Sequence, residues 1–420
     1  MLATLSKALQ VGELRAKILF TLLIILVFRI GAHVPVPGVD LEQIRRFIEQ
    51  GGALFGLVDV ISGGAFKNFS VFAMSITPYI NASIIMQLLT VVIPTLEKMA
   101  KEGVEGRKII VKYTRYGTVL LAFVQATGIY FALAAAVNNR GFFSWFVFVT
   151  TLTAGTAFLM WLGEQITEKG IGNGISILIF AGIVSRVPSA MANIVKLLKA
   201  GTINPFSVII LVVVGALVIA GIVFIQEGQR RIPVQYAKRV VGRKVYGGQS
   251  THIPMKVNQA GVIPVIFASS LLIFPTTIAS YFPTNVVARW VVQYFNWGTV
   301  LHTTAYALLI IGFTFFYTAI TFNPMDVADN MKKYGGFIPG LRPGRPTAEY
   351  LNRVMVRLSL AGAIFLALIS ILPNFMLLVT KIPNVMFGGT ALLIVVGVAL
   401  ETMKQMESQM LMRHYQGFIK

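Results

Sequence analysis

"SVFAMSITPYINASIIMQLLTVV", residues 70–92, is apolar enough to cross a bilayer and too polar to face lipid on every side. It carries Ser75, Thr77, Asn81, Ser83 and Gln87, and Pro78 removes a backbone hydrogen bond from any helix formed there. Lipid offers such side chains no partner, so one flank must face another helix or water. The stretch therefore predicts a bundle with an interior. A second stretch, "GVIPVIFASSLLIFPTTIAS" at 261–280, repeats the pattern with Ser269, Ser270, Thr276 and Thr277. Ordinary interhelical hydrogen bonding would explain both.

The rest of the chain supplies the bundle. Of 420 residues, 56% are hydrophobic and only 12% charged, against roughly 25% charged in soluble domains; mean hydropathy is +0.75. The composition is that of a polytopic, all-α membrane protein. Ten spans are expected, near 17–32, 71–93, 113–136, 143–162, 175–187, 205–225, 261–282, 300–322, 354–372 and 385–400. The first is read as an uncleaved span, because no small-residue cleavage site follows it. The fifth is short, so a tilt or a broken end is expected. "TINPF" places Asn204 as a helix cap with Pro205 at the first helical position, while Pro94, Pro324 and Pro373 are expected just past helix ends.

Basic residues orient the bundle. With the N-terminus inside, 26 of the 36 Lys and Arg fall in inner segments and 9 in outer ones, which puts both termini on the cytoplasmic side. Much of the net charge of +20 is thus a topology signal. Two long inner loops hold many of these residues. Residues 227–260 alternate polar and apolar residues, like a hairpin standing out of the membrane. Residues 323–353 are rich in Gly and Pro and hold Arg342 and Arg345 in a stiff turn. Loops of this length usually contact something, and arginine suits phosphate or carboxylate. Setting topology and touching anionic lipid is the simpler alternative.

Several function classes lose ground. Arg29 is nearly the only ionisable side chain well inside a span, and it can reach the interface; transporters commonly place such groups where substrate and coupling ions bind. A secondary transporter of a small solute is the alternative that remains. An enzyme fares no better, since His33, His252, His302 and His414 are scattered and no hydrolase, zinc or phosphate-loop motif is present. There is no cysteine. Neither a cofactor nor a metal is expected. "KGIGNGISI" at 169–177 follows no strand and reads as a flexible lead into the fifth span, not as a dinucleotide site.

One stretch stays unexplained by periodicity. "GGALFGLVDVISGGAF", residues 51–66, holds enough apolar sequence for a helix of about 15 Å, half of a bilayer core of roughly 30 Å. It reads as a re-entrant or an interfacial segment.

Five stretches then carry a resemblance: "SGGAF…SITPYINASIIMQLL", "EKGIGNGISILIFAGIV", "QYAKRVVGRKVYGGQSTHIPMKVNQAGVIPVIFASS", "FNPMDVADNMKKYGGFIPGLRPGRPTAEYLNRV" and "FGGTALLIVVGVALE". In this order, over nearly every span and both large loops, the chain resembles the SecY family, the channel-forming subunits of the bacterial Sec translocon. The resemblance implies ten transmembrane helices in two inverted five-helix halves, 1–200 and 201–420, around a central hourglass pore. It implies a protein-conducting channel in the bacterial plasma membrane that translocates unfolded secretory chains and releases transmembrane segments sideways into lipid.

Residue roles follow from the same resemblance. A mid-membrane pore ring would be drawn from Ile80, Ile84, Ile175, Ile179, Ile266 and Ile394, with Leu393 as a rival to Ile394. Apart from the resemblance, these isoleucines would simply pack or face lipid. A plug helix at 53–62 would present Leu54, Phe55, Leu57, Val58, Val60 and Ile61, with Gly51, Gly52, Gly63 and Gly64 as hinges. Ser83, Gln87, Ser269 and Ser270 would make polar contacts across a lateral gate, and Arg243, Lys244, Arg342 and Arg345 would dock a partner. The implied partners are the ribosome, the SecA motor ATPase, small SecE-like and SecG-like membrane subunits, signal sequences and nascent chains, and membrane lipids.

Overall fold

Each of the ten expected spans meets a helix in the computed structural model, which describes residues 11–44, 62–133, 136–137, 141–236, 239–241, 244–246, 250–280, 285–295, 299–380 and 389–417. In chain order the elements are α1 (Gly12–Gly31), α2 (Thr77–Val92), α3 (Pro94–Lys101), α4 (Val104–Ala132), α5 (Phe142–Lys169), α6 (Gly174–Ser185), α7 (Val187–Lys199) and α8 (Pro205–Glu227). There follow β1 (Gln229–Tyr236), β2 (Arg239–Val241), β3 (Lys244–Tyr246), β4 (Ser250–Lys256), α9 (Ile263–Ser280), α10 (Val286–Tyr294), α11 (Val300–Thr321), α12 (Pro324–Lys333), β5 (Gly336–Phe337), α13 (Arg345–Thr380) and α14 (Gly389–Gly417). The spans are α1, α2, α4, α5, α6, α8, α9, α11, α13 and α14.

Local chemistry sets several starts. Asn173, Asn204, Asn285, Thr299 and Asn323 each accept a hydrogen bond from a backbone N–H in the first turn of the helix that follows. Such caps are worth about 1 kcal/mol each. At Asn204 the acceptor meets Phe206 N at 3.0 Å, with Pro205 first in α8 as expected. The short fifth span breaks at Arg186 and continues as α7.

Other boundaries moved. The second span starts at Thr77, and residues 71–76 form buried turns. Pro94 and Pro324 do lie just past the ends of α2 and α11, as expected, and each also opens a further helix, α3 after a 101° bend and α12. Pro373 lies within α13, which runs 36 residues. A proline inside a membrane helix is tolerated where neighbours engage the disturbed turn, and the adjacent Asn374 Nδ2 donates to Thr303 Oγ1 of α11 at 3.0 Å.

Among the described residues six helical stretches are long and apolar enough to cross a membrane on those grounds alone. The helices α1, α2, α4 and α9 fall short because they are brief or carry polar and charged groups. Contacts sort the helices into two groups, α1–α7 and α8–α14: α1 packs on α5, α2 on α4, and α4 on α5, while α9 and α13 both pack on α11 and α8 packs on α14. The groups meet chiefly along α6–α14 and α2–α9.

At the basic end the two long loops share one sheet. The expected hairpin is there, β1 against β4 in antiparallel register from Gln229↔Lys256 to Gln235↔Ser250. The second loop adds β5 to the other edge of β1, through Gln235↔Phe337 and Tyr236↔Gly336. Beneath lies a small core of Ile232, Val234, Met255, Met331, Ile338, Leu351 and Val354. At the opposite end residues 62–76 close a second core with α4 and α5, built on Phe66, Phe69, Met74, Tyr130 and Phe148. Their irregular backbone is satisfied by protein: Val36 N donates to Phe69 O (3.0 Å), Val71 N to Val34 O (2.9 Å), and Phe66 N to Ser62 Oγ (3.1 Å).

Candidate functional site

Four helices form the two seams, and all six isoleucines stand on them: Ile80 and Ile84 on α2, Ile175 and Ile179 on α6, Ile266 on α9 and Ile394 on α14. The i, i+4 pairs put each couple on one helix face. Ile80, Ile84, Ile179 and Ile394 are buried in the main apolar core; Ile175 and Ile266 are half-buried against it. Leu393 is fully buried in the same cluster, so both it and Ile394 belong to the joint. Ile175 leans on Gly163 of α5, where a Cβ would collide with its side chain. An aliphatic constriction of this composition would exclude water and ions by dewetting.

The gate candidates lie on α2 and α9, which pack on each other, yet the hydrogen bonds described for them run along their own helices. Gln87 Nε2 donates to Ser83 Oγ at 3.3 Å, and Ser269 Oγ donates to Ile266 O at 2.8 Å. Ser270 is buried at the joint. The expected polar contacts across the seam are therefore absent among the described bonds. The reason is local: a serine or glutamine in a helix reaches a group one turn away more readily than a neighbouring helix. The residue that sequence reasoning underrated is Asn81, buried beside Ile80 with its amide N–H groups unmatched. Its signal was visible, an amide in mid-span.

Within the first group the bonds are stronger. Arg115 Nε of α4 meets Glu164 Oε1 of α5 at 2.7 Å. At the basic end α3 carries Lys101 hydrogen-bonded to Glu97 at 2.6 Å. That bond holds the carboxyl below and the ammonium above their usual ranges, and Asp326 of α12, in the other group, also acts on Lys101.

The docking candidates divide. Arg342 is exposed in the turn between β5 and α13, where Gly340 (φ +82°) and Gly344 (φ +100°) take conformations that favour glycine. Its carbonyl accepts from Thr347 Oγ1 at 2.8 Å, which ties the turn to α13. Arg345 is exposed and pairs with Glu349 at 3.1 Å, a contact worth little in water. Lys244 lies on β3. Arg243 falls outside the described residues, as do all six plug positions, Leu54, Phe55, Leu57, Val58, Val60 and Ile61. The structure adds Lys332, Lys333 and Tyr334, exposed at the tip before β5 and signalled only by a basic pair ahead of two glycines.

The SecY family model matches residues 70–403. The chain belongs to the SecY family. The protein translocase subunit SecY of Halalkalibacterium halodurans is 50% identical to it over 438 residues, with both chains covered in full. Two solved structures share the fold. One is a SecY whose plug domain stabilises the closed state of the translocation channel (TM-score 0.68, 19% identical, 93% of this chain and 91% of that one). The other is Sec61 in the canine ribosome-channel complex from the endoplasmic reticulum (TM-score 0.65, 18% identical, the same coverage). As a SecY-family protein this chain is a multi-pass membrane protein and a protein-conducting channel, not an enzyme.

Proposed function

We propose that this SecY-family chain lies in the bacterial plasma membrane with its basic end and both termini in the cytoplasm, and passes unfolded secretory chains between two halves, 1–200 and 201–420. The observation that carries this reading is the placement of the six isoleucines on α2, α6, α9 and α14, the helices along which the two groups meet. A polypeptide that parts the groups must pass this apolar joint, and α2 against α9 is the seam through which a hydrophobic segment leaves for lipid. The weak, intrahelical bonding of Ser83, Gln87 and Ser269 suits a seam that opens, with Ser270 buried on α9.

The two-loop sheet unit is the docking surface. Arg342, Arg345, Lys244 and Arg243 would meet phosphates of ribosomal RNA or acidic groups of a SecA motor, and phosphate contacts would weaken with salt. Relatives of this fold include a ribosome-bound Sec61. Energy comes from such a partner, because no nucleotide-binding motif is present in the sequence. SecE-like and SecG-like subunits would brace the halves, and residues 53–62 would act as the plug, as in the related SecY whose plug domain stabilises its closed state.

The absence of cysteine gives the test. Single cysteines at Ile84 or Ile179 should crosslink an arrested secretory chain, whereas one at the exposed Leu217 of α8 should not. No crosslink at either joint position, together with uptake of a small solute, would overturn the channel reading in favour of a transporter. Arg342→Glu should stop export while the protein itself still inserts.

A further inference from the structure

Arg29 is half-buried, and from the last turn of α1 its Nη1 donates to Gly63 O at 2.8 Å. Gly63 is buried with φ +65°, and a Cβ there would stand 2.7 Å from Gly182 Cα of α6 and 3.0 Å from the Arg29 guanidinium. A side chain does not fit that place, and the positive φ is one that favours glycine. The next residue, Gly64 (φ +91°), faces the Arg186 guanidinium at the end of α6. Ser62 and Ala65, on either side of the glycine pair, are fully buried.

The turn 62–64 is thus held from two sides, by a hydrogen bond from α1 and by glycine-on-glycine contact with α6. Its place matters. Gly182 lies three residues beyond Ile179, about 4.5 Å along the helix. Fourteen residues after Gly63 the chain enters α2, which carries Ile80 and Ile84. One side chain therefore couples α1, the wall of α6 and the lead into α2, and two of those helices are seam helices.

We propose that Arg29 is a positioning residue for the resting channel, keeping α2 and α6 seated together through the 62–64 turn. Opening of the joint requires the Arg29–Gly63 bond to break. The proposal rests on the channel reading but on a different contact, so the two fail separately.

The test uses the full chain with its small subunits in native membranes and one added cysteine, Ala65→Cys, at a fully buried position. In Arg29→Ala, labelling of this cysteine by a membrane-impermeant maleimide should rise about tenfold as the turn opens locally. Export of a reporter with a defective signal sequence should rise about fivefold through the same population shift. Arg29→Lys, which keeps a charged donor, should fall between parent and alanine in both readouts. Gly63→Ala should reproduce the alanine result from the other side of the contact. If Arg29→Ala does not accumulate, Arg29→Gln is read against the same thresholds. Labelling or export at the parent level overturns the proposal, even where cysteines at Ile84 and Ile179 still crosslink a translocating chain.

Discussion

The helices α2 and α8 solve the same problem in opposite ways. The second, 23 residues long and strongly apolar, lies mostly outside the protein core, with Phe206, Ile209, Val212, Leu217 and Phe224 exposed. The first has 16 residues, buries Ile80, Asn81 and Ile84, and carries Ser83, Gln87 and Thr90. Lipid is as apolar as leucine, so an apolar flank costs nothing in α8 and marks no function. Polar groups in α2 persist only because protein or a passing chain can meet them. Of these two spans, the one that looks less like a membrane helix is the one that stands at the joint.

A buried charge separates the two helices most strongly. Ile84→Asp should raise ion leak through the resting channel at least tenfold, since a charged group carries water into an apolar constriction, and the protein should still accumulate. Leu217→Asp should do the reverse, reducing insertion at a cost of about 2.5–3.5 kcal/mol near the helix centre. Leak measured in proteoliposomes and protein measured in membranes decide the matter; equal loss of insertion by both variants would break the comparison.

Truncation sharpens it inside α8 itself. Ile222, fully buried, should cost about 2–5 kcal/mol when cut to alanine, whereas Leu217→Ala should change stability by less than about 0.5 kcal/mol. Thermal unfolding of the purified protein distinguishes them. A large loss at Leu217 would mean that another subunit covers that face.

The smallest expected effect is at the seam. Gln87→Leu removes the Gln87–Ser83 bond, and membrane hydrogen bonds average about 0.6 kcal/mol. Export of a reporter with a weakened signal sequence should change about threefold. No change would assign Gln87 to α2 alone and not to a gate.

Much of the architecture was legible without coordinates. A span must be long and apolar to cross lipid, so ten helices could be read from hydropathy, and Asn204 with Pro205 marked the start of α8 to the residue. The isoleucine positions needed the family resemblance, because isoleucine at i, i+4 is equally a lipid face. What stayed hidden were choices between partners of similar local merit. Serines 83 and 269 bonded within their own helices. Residues 71–76 read as helix but form turns: Val71 N donates to Val34 O of distant chain, while Ala73 N and Ser75 N donate to Ser70 O and Phe72 O within the turns. Pro373 read as a stop, yet α13 continues past it beside an Asn374–Thr303 bond to α11.

The sequence by itself determined that this is a multi-span, all-α membrane protein with polar second and seventh spans and a basic end, because bilayer thickness and the cost of bare polar groups act on each segment separately. Only the tertiary structure decided that α2, α6, α9 and α14 meet at one apolar joint, that the two basic loops share a sheet, and that Arg29 points inward to Gly63. Those facts depend on which distant groups come within 3 Å of each other, and no property of a single segment carries that information.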